Sequence, residues 1–171
     1  MISEARSAWL FDFGVGLRAV VGGQHMVEYL RAPQAVEIPL APVHARGVLV
    51  WRQQWVPLID LTRLVHDSHG DSHGSSEKSR DAIVLAYRET PQSPLRHGAL
   101  TLAAAPREIE VRNDLVCDLP ITPAFWGILA ASCITYENQP VPILRVRNIF
   151  TQRYATLFPA ALPDPYPNAC D

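Results

Sequence analysis

The side chains most able to do chemistry in this chain crowd into one stretch, His66-Asp67-Ser68-His69-Gly70-Asp71-Ser72-His73, with three imidazoles and two carboxylates. Both groups ligate divalent metals, so a metal site is the first chemistry to weigh. The spacing matches no zinc pattern, and no apolar residue occurs from His66 through Asp81 to hold the groups that would orient each ligand. The stretch reads as a solvated linker that suits weak, adventitious Ni or Zn binding better than a specific site. It is expected to be dispensable for folding, since doubling a loop costs only about 0.6 kcal/mol.

Nucleophiles fare no better. Cys133 lies in an apolar run and Cys117 stands beside Asp118, so neither has the electropositive surroundings that activate a thiol. Both read as inert buried thiols. His25, His44 and His97 are isolated and read as polar residues at strand ends or turns. There is no Gly-rich phosphate loop, no G-x-S-x-G, no H-E-x-x-H and no carboxylate pair in an apolar setting. No enzyme activity, metal or cofactor is expected. What remains is surface: Trp51, Arg52 and Trp55 are the residue types that dominate binding hot spots. Trp51 and Trp55 are equally readable as core, because tryptophan is usually well buried.

These residues sit inside a phrase that the chain repeats. Val56-Pro57-Leu58-Ile59-Asp60-Leu61-Thr62-Arg63-Leu64-Val65 aligns without a gap onto Val141-Pro142-Ile143-Leu144-Arg145-Val146-Arg147-Asn148-Ile149-Phe150, and each copy follows an apolar run that begins at a glycine, Gly47 or Gly127. A long-period echo marks a repeated structural unit, and two copies make one domain of two similar halves. The polar decoration is not repeated: Asp60 is answered by Arg145, and Arg52-Gln53-Gln54 by Glu137-Asn138-Gln139. A symmetrical active site is therefore not expected.

Short runs rich in Val, Ile, Leu and aromatics predict strands over 8–15, 17–21, 25–30, 47–52, 55–59, 82–87, 99–103, 107–111, 127–136 and 139–144. Fifteen prolines punctuate the chain and no long helical stripe appears, so the fold class is mainly β, as small barrels or a sandwich. Short helices are expected at 61–66, capped by the Asp60 carboxylate, and at 146–151, where Arg145 cannot cap and the helix is expected to start later or be less regular. Pro57 and Pro142 lack an amide hydrogen and call for an edge or bulge in their strands. The organisation expected is a single domain over 5–155, with a first half of about 5–66, a flexible linker over 66–81 and a second half of about 82–155, followed by a Pro-rich tail over 156–171.

At 171 residues the chain is long enough for one real core, and its 48% apolar content suits a globular protein. A net charge of −2 leaves no electrostatic footprint for nucleic acid or anionic membrane. No apolar run reaches the ~18–20 residues that span a bilayer, and Met1-Ile2-Ser3-Glu4-Ala5-Arg6 lacks the order of a signal peptide. Three scattered cysteines without C-x-x-C fit a reducing compartment, so the expected location is cytoplasmic.

Over 42–61, PVHARGVLVWRQQWVPLIDL, the chain resembles the CheW-like domain family, the adaptors of bacterial chemosensory pathways. The family pattern is a proline, a glycine five positions later, a strand ending in Asn-Leu-Arg-Gly, and a second strand ending in Pro-Val-Ile-Asp-Leu. Pro42, Gly47, Arg52, Pro57, Asp60 and Leu61 match it. The resemblance continues more weakly over 5–153, with Trp9-Leu10-Phe11 as the opening strand and Met26-Val27-Glu28 as the family's apolar-x-Glu element. Val50 and Gln53 replace the family's Asn and Gly, so this hairpin must turn without glycine. Leu102-Ala103-Ala104-Ala105 and Leu144-Arg145 depart from the second-half signatures.

The resemblance implies two SH3-like five-stranded β-barrels sharing a core, with short helices and no catalysis. It implies binding to the regulatory domain of a CheA-type histidine kinase, itself of this fold, and to the cytoplasmic tip of a chemoreceptor in a groove between the halves, or the equivalent in type IV pili twitching motility. With the hot-spot argument it assigns partner binding to Arg52, Glu28, Trp51, Trp55 and Gln53; an Arg52 that merely braces Asp60 or Glu28 is the structural alternative. The rival reading is an unrelated SH3-like double barrel that binds a small ligand or peptide, with the His-rich loop closing over it.

Overall fold

The computed structural model describes residues 5–45, 47–66 and 80–151. Most of the His-rich stretch and the Pro-rich tail, with the expectations placed on them, lie outside the described residues. The elements run β1 (Arg6–Gly14), β2 (Leu17–Gly22), β3 (Met26–Leu30), β4 (Ala35–Glu37), β5 (Gly47–Trp51), β6 (Gln54–Ile59), α1 (Leu61–His66), β7 (Asp81–Tyr87), β8 (Arg96–Leu102), β9 (Arg107–Val111), α2 (Trp126–Leu129), β10 (Ala130–Tyr136), β11 (Gln139–Leu144) and α3 (Val146–Phe150). The protein is mainly β, as its short apolar runs predicted. No helix among the described residues is long and apolar enough to cross a membrane.

The strands form a five-stranded sheet ordered β10-β11-β2-β1-β9 and a six-stranded sheet ordered β3-β7-β8-β6-β5-β4. Each sheet therefore takes strands from both parts of the chain. The hairpin β1–β2 joins β11 through the parallel pair Ile143↔Val20, and the hairpin β7–β8 joins β6 through Leu58↔Ala99 and Ile59↔Leu100. The two repeats of the sequence phrase supply corresponding strands, with Pro57 opposite Val48 in β6 and Pro142 opposite Cys133 in β11. β6 and β11 are interior strands with no register shift at either proline, so the edge or bulge expected there is not found. Both prolines stand one residue before the parallel pairing begins, so the missing amide hydrogen costs no ladder bond on that side.

Strand alternation builds three packed regions. In β1, Ala8 and Leu10 face the interior of the five-stranded sheet with Val20, Ile109, Ile134 and Val141, whereas Phe11 and Phe13 face a central core. In β7, Ala82 and Val84 line the interior of the six-stranded sheet with Leu49, Trp51 and Val56, whereas Ile83, Leu85 and Tyr87 join the central core. That core also takes Leu61 and Leu64 of α1, Trp126 and Leu129 of α2, and Val146 and Ile149 of α3. Strands buried on both faces weld the two sheets into one body.

Four expectations change. The run from Gly127 begins inside a helix: Trp126 and Leu129 are one turn apart and both drop into the core. β4, with all three residues exposed, carries no apolar alternation to announce it. α3 starts at Val146 without a side-chain cap and is no later than its counterpart, because Asn148 donates from Nδ2 to the Ile128 carbonyl at 2.7 Å and Arg145 donates its N–H to the Leu129 carbonyl. The end of the linker is also tied down: Arg80 reaches Asp60 and Thr62, and Asp81 opens β7 while accepting hydrogen bonds from the Tyr29 hydroxyl and the Ala32 N–H.

Candidate partner-binding site

The hairpin β5–β6 turns on two residues, Arg52 and Gln53, between the paired residues Trp51 and Gln54. Both turn residues have positive φ, 46° and 65°, as the mirror-type two-residue turn demands. The two-residue turn and strand alternation then decide the tryptophans. Trp51 points inward and is buried, while Trp55, paired with Val50, points outward and is 69% exposed. One tryptophan is core and the other is surface, where the sequence left both open.

Glu28 of β3 meets this hairpin. Its Oε2 accepts the Trp51 indole N–H at 2.9 Å and the Arg52 guanidinium at 2.9 Å. The Trp51 hydrogen bond is the main cause holding the Glu28 carboxyl below its usual range, with Arg52 adding to it and desolvation opposing it. The Arg52 guanidinium also lies 4.5 Å from the Trp51 ring centroid, and His97 of β8 packs on that ring at 4.8 Å. Arg52 remains 67% exposed. It braces Glu28 and not Asp60, which instead caps α1 through the Thr62 N–H at 3.0 Å and pairs with Arg63 and Arg80.

The structure thus brings Glu28, Trp51 and Arg52 together, leaves Gln53 exposed beside them at the turn, and sets Trp55 on the opposite face. Trp55 is not alone there. Val50 beside it is 61% exposed, and Val36 of the edge strand β4 is 50% exposed. Val50 alternates with the buried Leu49 and Trp51, and Trp55 stands beside the buried Val56, a signal that marks which face is outward but not that the outward face is apolar. His97 gives no such signal either, since it is the parallel pairing of β8 with β6, the neighbour of β5, that carries it to Trp51.

A cavity of about 340 Å³ is lined by Gln24, His25, Ala86, Tyr87, Leu95 and Arg147 among others. His25 Nδ1 lies 2.9 Å from the Ala86 carbonyl. His44 is itself buried within a 3-10 turn, so all three isolated histidines sit at turns or strand ends. No group of three or more His, Cys, Asp or Glu suited to a metal ion occurs among the described residues. The two cysteines read as inert are in mutual contact, and Cys117 is only partly buried.

Comparison with curated protein sequences finds no match. Among solved structures, the chain is similar to the scaffolding protein TtCheW from Thermoanaerobacter tengcongensis, with a TM-score of 0.64 at 14% identity, covering 86% of this chain and 89% of that one. That likeness is one of fold: two SH3-like barrels, one of which carries β4 as a sixth strand here. Residues 13–154 match the model of the CheW-like domain, and the chain belongs to that family.

Proposed function

We propose that this chain is a noncatalytic, cytoplasmic adaptor of a bacterial chemosensory pathway, joining the regulatory domain of a CheA-type histidine kinase to the cytoplasmic tip of a chemoreceptor or an equivalent sensor. The convergence of Trp51 and Arg52 on Glu28 carries the reading, because it presents an exposed, oriented guanidinium at the position that matches the family's arginine. Trp51 fixes the carboxylate and the carboxylate fixes the arginine, so little rotamer freedom is left to lose on binding. The outward Trp55, Val50 and Val36 provide a second, apolar face suited to packing against another barrel.

Titration with a receptor-tip fragment tests this. Arg52→Glu leaves stability within about 1 kcal/mol, since the side chain is exposed, and weakens binding at least tenfold. Unchanged affinity removes Arg52 from the interface, and failure to retain the host's kinase regulatory domain in a pull-down removes the adaptor reading. The cavity beside His25 favours a second reading, a double-barrel module for a small ligand or peptide, because its volume lies at the lower end of the range for ligand sites. Binding that survives Arg52→Glu but is lost on filling the cavity at Ala86 supports it.

A further inference from the structure

The five-stranded sheet closes through a very short seam. Val116, following β9, bridges Ile134 of β10 in antiparallel register. The next pair in that register is Cys117 and Cys133, directly opposite each other, and the Cys117 N–H donates to the Cys133 carbonyl at 3.0 Å. Their sulfurs are 3.3 Å apart. Opposed antiparallel residues have Cα atoms about 4.5–5.5 Å apart, inside the range a disulfide tolerates. Bond formation therefore asks the sulfurs to close by about 1.3 Å with no rearrangement of the strands.

We propose that Cys117 and Cys133 form a reversible redox pair whose disulfide locks the seam of this barrel. With hydrogen peroxide as the oxidant, the Cys117 sulfur attacks one peroxide oxygen and the O–O bond breaks, giving a Cys117 sulfenic acid and one water. The Cys133 sulfur then displaces the hydroxyl from the Cys117 sulfur. The S–S bond forms as the S–O bond breaks, and the Cys133 proton leaves with the hydroxyl as a second water. Two thiols lose two electrons and one peroxide gains them. A small dithiol reverses the reaction by thiol–disulfide exchange.

Burial sets the order of the two steps. Cys117 is partly exposed and meets the oxidant first, whereas Cys133 is 1% exposed. Desolvation, reinforced by the hydrogen bond with Cys117, pushes the Cys133 thiol up to about 12, so it stays protonated and does not meet oxidants in solvent; its sulfur, 3.3 Å from that of Cys117, is placed to react only once the sulfenic acid has formed against it.

The test uses the full chain carrying Cys170→Ser, which leaves these two thiols alone. Stoichiometric hydrogen peroxide is expected to lower the mass by about 2 Da and to yield a Cys117–Cys133 linked peptide on nonreducing digestion. Closing a loop of this size is expected to raise Tm by about 5–10 °C, and dithiothreitol should reverse both changes. Cys117→Ser in the same background keeps the fold, because the side chain is partly exposed, and loses the linked peptide and the Tm rise. Oxidation of Cys117 to sulfinic acid without a linked peptide overturns the proposal, as does an intermolecular link. A linked protein with unchanged Tm overturns the locking role, and so does a Tm rise that persists in Cys117→Ser.

Discussion

The hairpin tips at Trp51–Gln54 and Tyr136–Gln139 share a backbone and invert each other's charge. Their central residues take nearly the same dihedrals, φ 46° and 65° at Arg52 and Gln53 against 50° and 59° at Glu137 and Asn138. Each tip begins with an aromatic residue under an arginine, Arg52 at 4.5 Å over Trp51 and Arg107 at 5.9 Å over Tyr136. In the first tip the turn supplies the arginine and β3 supplies the carboxylate. In the second, the turn supplies Glu137, held by Arg18 at 2.9 Å and Arg107 at 3.6 Å, while Arg18 also binds Gln139.

The difference is one of commitment. Glu137 spends its charge on two arginines of its own barrel, one of them, Arg18, only 20% exposed. Arg52 faces a single carboxylate that Trp51 already holds, and its guanidinium stays open to solvent. Repeating the backbone and changing the decoration leaves one tip braced inward and the other presented outward. The adaptor reading draws on that contrast.

Replacing the aromatic residue at each tip gives the largest expected difference. Trp51 is buried, bonded to Glu28 and packed on His97, so Trp51→Ala should cost about 3–5 kcal/mol. Tyr136 is half-exposed, and Tyr136→Ala should cost about 1–2 kcal/mol. Urea midpoints at constant m-value read both. Equal losses would mean that the two tips are anchored alike.

Much of this was legible in the chain. β9, β11 and α1 lie where their apolar runs end at Pro, Gly or polar residues, and the repeated phrase correctly paired β6 with β11 and Pro57 with Pro142. Sheet order was not legible, because the parallel contacts Ile143↔Val20 and Leu58↔Ala99 join distant segments whose side chains carry no pairing signal beyond being apolar. At the site, the matched Arg52 and Glu28 were brought together as the bracing alternative allowed. The inward Trp51 and outward Trp55 became separable only once the turn length was known. The contact of Cys117 with Cys133 depends on a register across the barrel seam that no local pattern encodes.

The next difference lies just beyond each β-strand. Asp60 caps α1, its carboxylate accepting the Thr62 N–H and the Thr62 hydroxyl and pairing with Arg63 and Arg80. Arg145 has no such role, and α3 is held instead by Asn148. Asp60→Ala should lower stability by about 1–2 kcal/mol, while Arg145→Ala should stay within about 0.5 kcal/mol. Thermal melting decides it. A large loss in Arg145→Ala would show that the second helix start relies on a contact of that side chain.

The smallest expected effect is a gain, and it tests the turns themselves. Gln53 holds φ at 65° and Asn138 holds the equivalent position at 59°. A left-handed backbone costs an ordinary side chain about 1 kcal/mol, asparagine tolerates it better, and glycine adopts it freely. Gln53→Gly should therefore stabilise the protein by about 0.5–1 kcal/mol, offset in part by the greater freedom glycine gives the unfolded chain. Asn138→Gly, relieving less strain against the same entropic loss, should fall within about 0.3 kcal/mol of zero. Differential scanning calorimetry should then show Tm rising by about 1–4 °C for Gln53→Gly and hardly moving for Asn138→Gly. If the two gains are equal, asparagine brings no relief at this turn; if Gln53→Gly loses stability, the Gln53 side chain holds the first tip in a way the second tip does without.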